Sequence, residues 1–183
     1  FAVRRLGCSS GIVLTASHNP SKYNGYKCYD HRGFQITDEA AAKTYDYMKK
    51  VDMFEGVKRM SFEDALAYDM VDYIEDWVKD EFIDCVLDCA VNKDAVKKSG
   101  LKVLYTPLNG TGNKPVRKIL ERMGLTNVRV VPEQEYPDGN FPTAPYPNPE
   151  IKQVFECALE MTKEEKALEN IVCNFKENTE KLT

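Results

Sequence analysis

Residues 101–131 restrict the possible folds of this chain more than any other stretch. Residues 101–105, Leu-Lys-Val-Leu-Tyr, read as a short strand, and 107–115 as a glycine-rich loop. Residues 116–123 read as a helix, Gly124 suits its C′ position, and 127–131, Asn-Val-Arg-Val-Val, form the next strand. A strand–helix–strand unit implies a parallel pair joined by a right-handed crossover. The expected class is therefore α/β. Residues 132–149 follow with six of the nine prolines, too many for a helix or a central strand. Residues 151 to about 169 are helical in pattern, with Val154, Phe155, Ala158, Leu159 and Met161 as the apolar side. Residues 169–183 are polar around Ile171-Val172 and have no assignment.

The first half of the chain carries a different signal. Residues 12–14 read as a buried strand that ends in the small and polar cluster 15–21, followed by Asn24-Gly25. Ser17 thus stands where a strand delivers the chain to a loop, a frequent position for chemistry on a rigid scaffold. His18, Lys22 and Lys27 are close in sequence and suit an anionic group. Residues 25–29 read as a second strand. Asp30-His-Arg-Gly33 is a turn and 34–36 a return strand, which together make a hairpin. Thr37 reads as an N-cap with Asp38 and Glu39 in the first turn, and Ala41, Tyr45 and Met48 as the apolar face of the helix. Ser61-Phe-Glu-Asp64 resembles a capping box. Val71, Ile74, Val78, Phe82, Cys85 and Cys89 keep a helical spacing and predict an amphipathic helix from about 69 to 90 whose stripe is core packing.

With 25 basic and 29 acidic residues the net charge is -4, which argues against a nucleic-acid binder. No run approaches the ~20 apolar residues of a membrane span, and no signal peptide is evident. The start at Phe1 is read as that of a fragment or a processed chain. The six cysteines (8, 28, 85, 89, 157, 173) show no Cys-x-x-Cys pair and no metal spacing. They are expected to be reduced thiols in the cytoplasm, with Cys85 and Cys89 packed as small apolar residues.

Ser17 does not fit a hydrolase elbow, since Ala16 and His18 flank it directly, and a chain neighbour rarely turns back to serve as its base. Read from the residues alone, the loop is either a polar turn or a phosphate carrier, with the polar turn the simpler of the two. The Asn109-Gly-Thr-Gly112 loop lies before a helix, where phosphate is favoured, but it matches neither a dinucleotide fingerprint nor a P-loop. A structural turn explains it equally well.

Thr15-Ala-Ser-His-Asn-Pro20 with Tyr23-Asn-Gly-Tyr-Lys27 resembles the active-site serine loop of the α-D-phosphohexomutases, the superfamily of phosphoglucomutase and phosphomannomutase. Phe1-Ala-Val-Arg4, Thr106-Pro-Leu-Asn-Gly-Thr-Gly112, Pro137-Asp-Gly-Asn-Phe-Pro-Thr143 and Pro147-Asn-Pro-Glu150 resemble flanking and second-domain segments of the same family, closest to its longer phosphoglucomutase and phosphopentomutase branch.

The resemblance implies mixed sheets flanked by helices. Residues 1–97 would be the later part of a first domain, and 98–183 the earlier part of a second. It implies a phosphoserine at Ser17 that exchanges phosphate with a hexose or pentose phosphate through a bound sugar bisphosphate. His18 and Lys27 would assist proton transfer and position the phosphoryl group, and Asn19 and Asn24 would bind substrate. Mg²⁺ would take a phosphoserine oxygen as one ligand. The family's Asp-x-Asp-x-Asp-Arg metal loop and its later sugar and phosphate loops do not occur in this sequence. The chain alone is therefore expected to have negligible mutase activity, and open sheet edges are expected to favour self-association. The alternatives are a non-catalytic fragment or paralogue that binds phosphosugars or a partner, a phosphomannomutase or phosphopentomutase in place of a phosphoglucomutase, and a nucleotide-binding module that uses Asn109 to Gly112.

Overall fold

A computed structural model describes residues 1–164 and 170–173, with side chains to residue 163. It has α/β architecture and divides into two compact units. One comprises residues 1–14 and 26–80, the other 15–25 and 81–183.

The first unit opens with a single-turn helix, α1 (Ala2–Arg5), in a stretch whose sequence has no clear type. An antiparallel ribbon follows, β1 (Ser10–Leu14) with β2 (Tyr26–Asp30), in which Ile12 faces Cys28 and Val13 faces Lys27. A Cβ on Gly11 of β1 would lie 2.6 Å from the Val3 side chain of α1, which would have to shift to admit it. The expected burial of residues 12–14 is not found. Ile12 is 57% and Leu14 65% exposed, because a two-stranded ribbon lacks the partner surface to cover both of its faces.

The turn after β2 forms as expected. Asp30 accepts hydrogen bonds from the backbone of Arg32 and Phe34 and from the Arg32 guanidinium, and Gly33 takes φ +78. The Arg32 side-chain contact, aided by those backbone N–H groups, holds the Asp30 carboxyl below its usual range. The return strand shortens to one bridge, Tyr29 to Gln35.

Helix α2 (Asp38–Met48) begins where Thr37 accepts the Ala40 N–H, and α3 (Phe62–Ala67) where Ser61 accepts the Asp64 N–H. Both caps agree with the sequence reading, but no residue of α2 is buried, so the Ala41–Tyr45–Met48 face is uncovered. The long helix is shorter than its periodicity suggests. Asp69 turns left-handed (φ +54), and α4 spans Asp76–Asp88. Its buried positions are Val78 and Ile83, whereas Phe82, Cys85 and Cys89 are exposed. Apolar residues occupy most of this helix's circumference, so spacing alone cannot choose the packed face.

The second unit continues with α5 (Lys93–Ser99), which closes on Gly100 in the left-handed region. A parallel sheet follows, ordered β4-β3-β5, from β3 (Lys102–Tyr105), β4 (Val128–Val130) and β5 (Asn170–Cys173). The crossover helix α6 (Asn113–Arg122) begins three residues before its expected start, with Pro115 in the first turn, where its missing N–H costs nothing. It ends in a Schellman motif: Gly124 (φ +86) donates to Glu121 and Leu125 to Leu120. The sheet's third strand, β5, lies in the stretch that has no sequence assignment; residues 174–183 lie outside the described residues.

A short 3-10 helix, Lys152–Phe155, leads into α7 (Glu156–Glu164). Leu104, Val131 and Ala158 form one core cluster, and Leu108, Ala144 and Val154 a second. No helix among the described residues is long and apolar enough to cross a membrane.

Cys8, Cys28, Cys85, Cys89 and Cys157 are free thiols. Burial, with the Glu133 and Glu160 carboxylates, pushes the Cys157 thiol up. Because the thiolate is the reactive form, iodoacetamide is expected to alkylate the exposed Cys85 and Cys89 well before Cys157. Peptide mapping of a time course checks the order, and early modification of Cys157 would contradict it.

Candidate functional site

The loop 15–25 is closed at its base, where the Thr15 N–H donates to the Gly25 carbonyl at 3.1 Å. A Cβ on Gly25 would fall 2.2 Å from the Thr15 carbonyl oxygen, so only glycine lets the two ends meet. Within the loop Ser17 is left-handed (φ +55), and its N–H donates to the Thr15 hydroxyl at 3.0 Å. That φ turns the His18 side chain back onto its neighbour, and Ser17 Oγ and His18 Nδ1 stand 3.2 Å apart. The sequence argument that chain neighbours rarely meet holds for extended backbone, which sends successive side chains to opposite sides. Left-handed backbone does not.

A cavity of about 260 Å³ in the second unit is lined by Thr15, Ser17 and His18 together with Pro107–Gly112 and parts of the proline-rich segment: Pro137, Asp138, Gly139, Phe141, Pro147 and Pro149. Five non-glycine residues among those described have positive φ, and four of them, Ser17, Leu108, Asn109 and Phe141, line this cavity. Backbone of this kind is held only where surrounding contacts over-determine it, and it concentrates at functional sites.

Part of the cavity wall comes from the loop that follows β3. Thr106 is fully buried; its hydroxyl accepts the Leu108 N–H (3.1 Å) and donates to Gln134 Oε1 (2.6 Å). Asn109 is 6% exposed. Its amide donates to the carbonyls of Glu133 and Tyr136, its N–H to Gln134, and its carbonyl accepts from Asp138, while its Oδ1 is buried without a partner. Asn109 is thus committed to fastening two loops together. Gly112 must lack a side chain, since a Cβ would meet the Tyr105 hydroxyl at 2.7 Å. Burial of Tyr105 pushes its phenol up to about 12, with Arg117 opposing, so the hydroxyl is protonated at any neutral pH. Gly110, Thr111 and Gly112 lead into α6, whose first turn has no side-chain cap. That end of a helix favours an anion.

Asn19, Asn24 and Lys27 are not among the residues that line this cavity. Asn19 and Asn24 are exposed, with Asn24 Oδ1 accepting the N–H of Gly25. Lys27 is half-buried on β2 and belongs to the first unit. The sequence reading did not single out Gln134, and its contact with Thr106, 28 residues away, leaves no local pattern to find.

Chemically, a hydroxyl beside an imidazole can pass a proton, and no carboxylate among the described residues bonds to His18 to orient it as in a hydrolase triad. A hard divalent cation takes about six oxygen ligands. Among the described residues no group of three or more His, Cys, Asp or Glu is placed to hold a metal, and Asp138 is the one carboxylate in the cavity lining. These residues do not fit a Mg²⁺ site.

Two family descriptions match the chain: "Phosphoglucomutase/phosphomannomutase, alpha/beta/alpha domain I" over residues 1–55 and "domain II" of the same family over 80–175. A phosphoglucomutase of Staphylococcus saprophyticus is 33% identical over 155 residues, covering 85% of this chain and 28% of that protein. A Staphylococcus aureus phosphoglucomutase is 30% identical over 161 residues, covering 88% and 28%. The chain therefore spans less than a third of the length of these relatives. A crystal structure from Thermus thermophilus, provisionally described as a phosphomannomutase, superposes with a TM-score of 0.67 at 24% identity, over 94% of this chain and 35% of that one. The last likeness bears on the fold alone.

Proposed function

Because the chain belongs to the phosphoglucomutase/phosphomannomutase family, we propose that it is part of a phosphosugar mutase and that Ser17 carries the phosphoryl group exchanged with the sugar. The observation that supports this most directly is the clustering of left-handed residues around the cavity shared by Ser17 and His18. A rigid cradle beside a helix N-terminus suits a group of about -1.5 to -2 charge with three acceptor oxygens.

In the forward step a sugar hydroxyl oxygen bonds to phosphorus, the P–Oγ bond of Ser17 breaks, and the proton lost by the sugar hydroxyl is balanced by the one that Ser17 Oγ takes up. The His18 imidazole, with Nδ1 3.2 Å from Ser17 Oγ, is placed to relay that proton. The products are a free serine and a sugar bisphosphate. Return of the other phosphate to Ser17 regenerates the starting protein, so no phosphate is consumed. Lys27 would neutralise phosphoryl charge, and Asn19 and Asn24 would hydrogen-bond the sugar. Glucose 1-phosphate and glucose 6-phosphate are the substrate pair favoured by the names of the relatives, and the cytoplasm is the expected location. These residues do not supply a ligand set for Mg²⁺. On its own the chain is expected to hold phosphate without appreciable turnover.

Intact-mass and peptide mass spectrometry of the native protein tests the reading. One phosphate on Ser17, absent from Ser17→Ala, is expected. Stoichiometric phosphate on another residue, with Ser17 bare, would overturn it.

A further inference from the structure

We propose that Gln134 is a positioning residue for the cavity beside Ser17, its buried amide holding residues 106–109 in the left-handed geometry that shapes the cavity wall. The proposal rests on the reading of this cavity as a phosphosugar site.

Gln134 is fully buried in a short 3-10 helix between two prolines and does not itself line the cavity. Every hydrogen-bonding group of its amide is engaged in a directed way. Oε1 accepts the Thr106 hydroxyl at 2.6 Å, and Nε2 donates to Thr143 Oγ1 and to the Val154 carbonyl, both at 3.0 Å. The orientation follows from the partners. The Val154 carbonyl can only accept, so an amide turned the other way would set two acceptors against each other. One side chain thereby ties the end of β3, the proline-rich segment and the helical turn before α7.

The consequence reaches the cavity through two backbone N–H groups. Leu108 donates to the Thr106 hydroxyl and Asn109 to the Gln134 carbonyl at 2.8 Å. These are the two consecutive non-glycine residues held at φ +49 and +56. Leucine has no intrinsic reason to occupy that region. What fixes it there is the Thr106–Gln134 pair, because the Thr106 hydroxyl is kept pointing at Oε1 and its lone pair at Leu108. Asn109 then presents its carbonyl to the Asp138 N–H, which carries the same geometry to the facing wall. Gln134 thus acts on the site through Leu108, Asn109 and Asp138, without touching anything bound in it.

The test uses the whole chain and two readouts. Gln134→Met removes all three side-chain bonds at similar volume, and Thr106→Val removes the hydroxyl while Thr106→Ser keeps it. Leu120→Ala, a buried α6 residue outside the cavity lining, controls for loss of stability. Amide hydrogen exchange is expected to accelerate about tenfold or more at Leu108, Asn109 and Asp138 in Gln134→Met and Thr106→Val. Val103 and Val131, whose N–H groups lie in the strand region, should stay near parental rates. Affinity for glucose 1-phosphate should fall about tenfold in the same two variants, while Thr106→Ser and Leu120→Ala retain both properties.

Uniform acceleration across loop and strands, or unchanged protection at Leu108 and Asp138, would overturn the proposal by making Gln134 an ordinary stabilising residue. Should Gln134→Met not fold, the Thr106→Val and Thr106→Ser pair decides the matter. If the parent chain binds no sugar phosphate, the functional reading fails, and the exchange data still decide the positioning role.

Discussion

Replacing Gly25 by alanine is expected to be the most damaging single-methyl change in the Ser17 loop. The added Cβ would stand 2.2 Å from the Thr15 carbonyl oxygen, a backbone atom that no rotamer change can move aside. Relief requires the loop base to open, which breaks the Thr15–Gly25 hydrogen bond and frees the strained backbone at Ser17. We expect a loss of about 3 kcal/mol, the upper end of overpacking costs, together with loss of phosphate on Ser17. Gly139→Ala is the matched control. Its Cβ meets nothing within 4 Å although it too belongs to the cavity lining, so its effect should stay within about 0.5 kcal/mol. Urea unfolding of the two variants checks both figures. A Gly25→Ala chain as stable as its parent would mean the loop base is not closed in this way.

The second large effect concerns Ser17 itself, where stability and chemistry should move in opposite directions. Its φ of +55 is unfavourable for any residue with a Cβ and accessible to glycine. Ser17→Gly is therefore expected to gain about 1 kcal/mol in unfolding free energy while losing all phosphate from position 17. Ser17→Ala should lose the phosphate equally but gain no stability, because it keeps the Cβ. The pair separates backbone strain from the hydroxyl. Thermal unfolding and peptide mass spectrometry supply the readouts, and a destabilised Ser17→Gly would show that the left-handed turn carries no strain. Strain retained at a residue whose hydroxyl is the proposed reacting group is the trade expected at a functional site.

The features legible in the sequence are those whose causes lie within a few residues. Thr37 and Ser61 cap their helices because a hydroxyl reaches an N–H three positions on. Gly124 ends α6 because no other residue takes a left-handed C′ so cheaply. The parallel pairing of β3 with β4 follows from a helix between two apolar runs. The serine loop was legible as a turn after a strand, and its motif pointed to the family.

The features that were not legible depend on partners far along the chain. β5 pairs beside β3 from about seventy residues away, and its apolar patch alone could have been a loop or a helix end. Of the predicted stripe on α4 only Val78 is buried; Ile83, outside it, is the second buried position, and Phe82 and Cys85 are exposed, since several apolar faces were available on one helix. Residues 12–14 have the composition of a buried strand, yet burial is a property of what lies opposite them. Gln134 belongs with these. A glutamine between prolines carries no signal until Thr106, Thr143 and Val154 converge on it.

By itself, then, the sequence determined the α/β class, the helix caps, the strand–loop junction at Ser17 and the family, because these follow from local backbone chemistry and short motifs. Only the tertiary structure decided which apolar faces are covered, how His18 turns back on Ser17, and which residues brace the cavity. Those outcomes depend on contacts between segments tens of residues apart, where burial and hydrogen-bond partners are set by what the folded chain brings together.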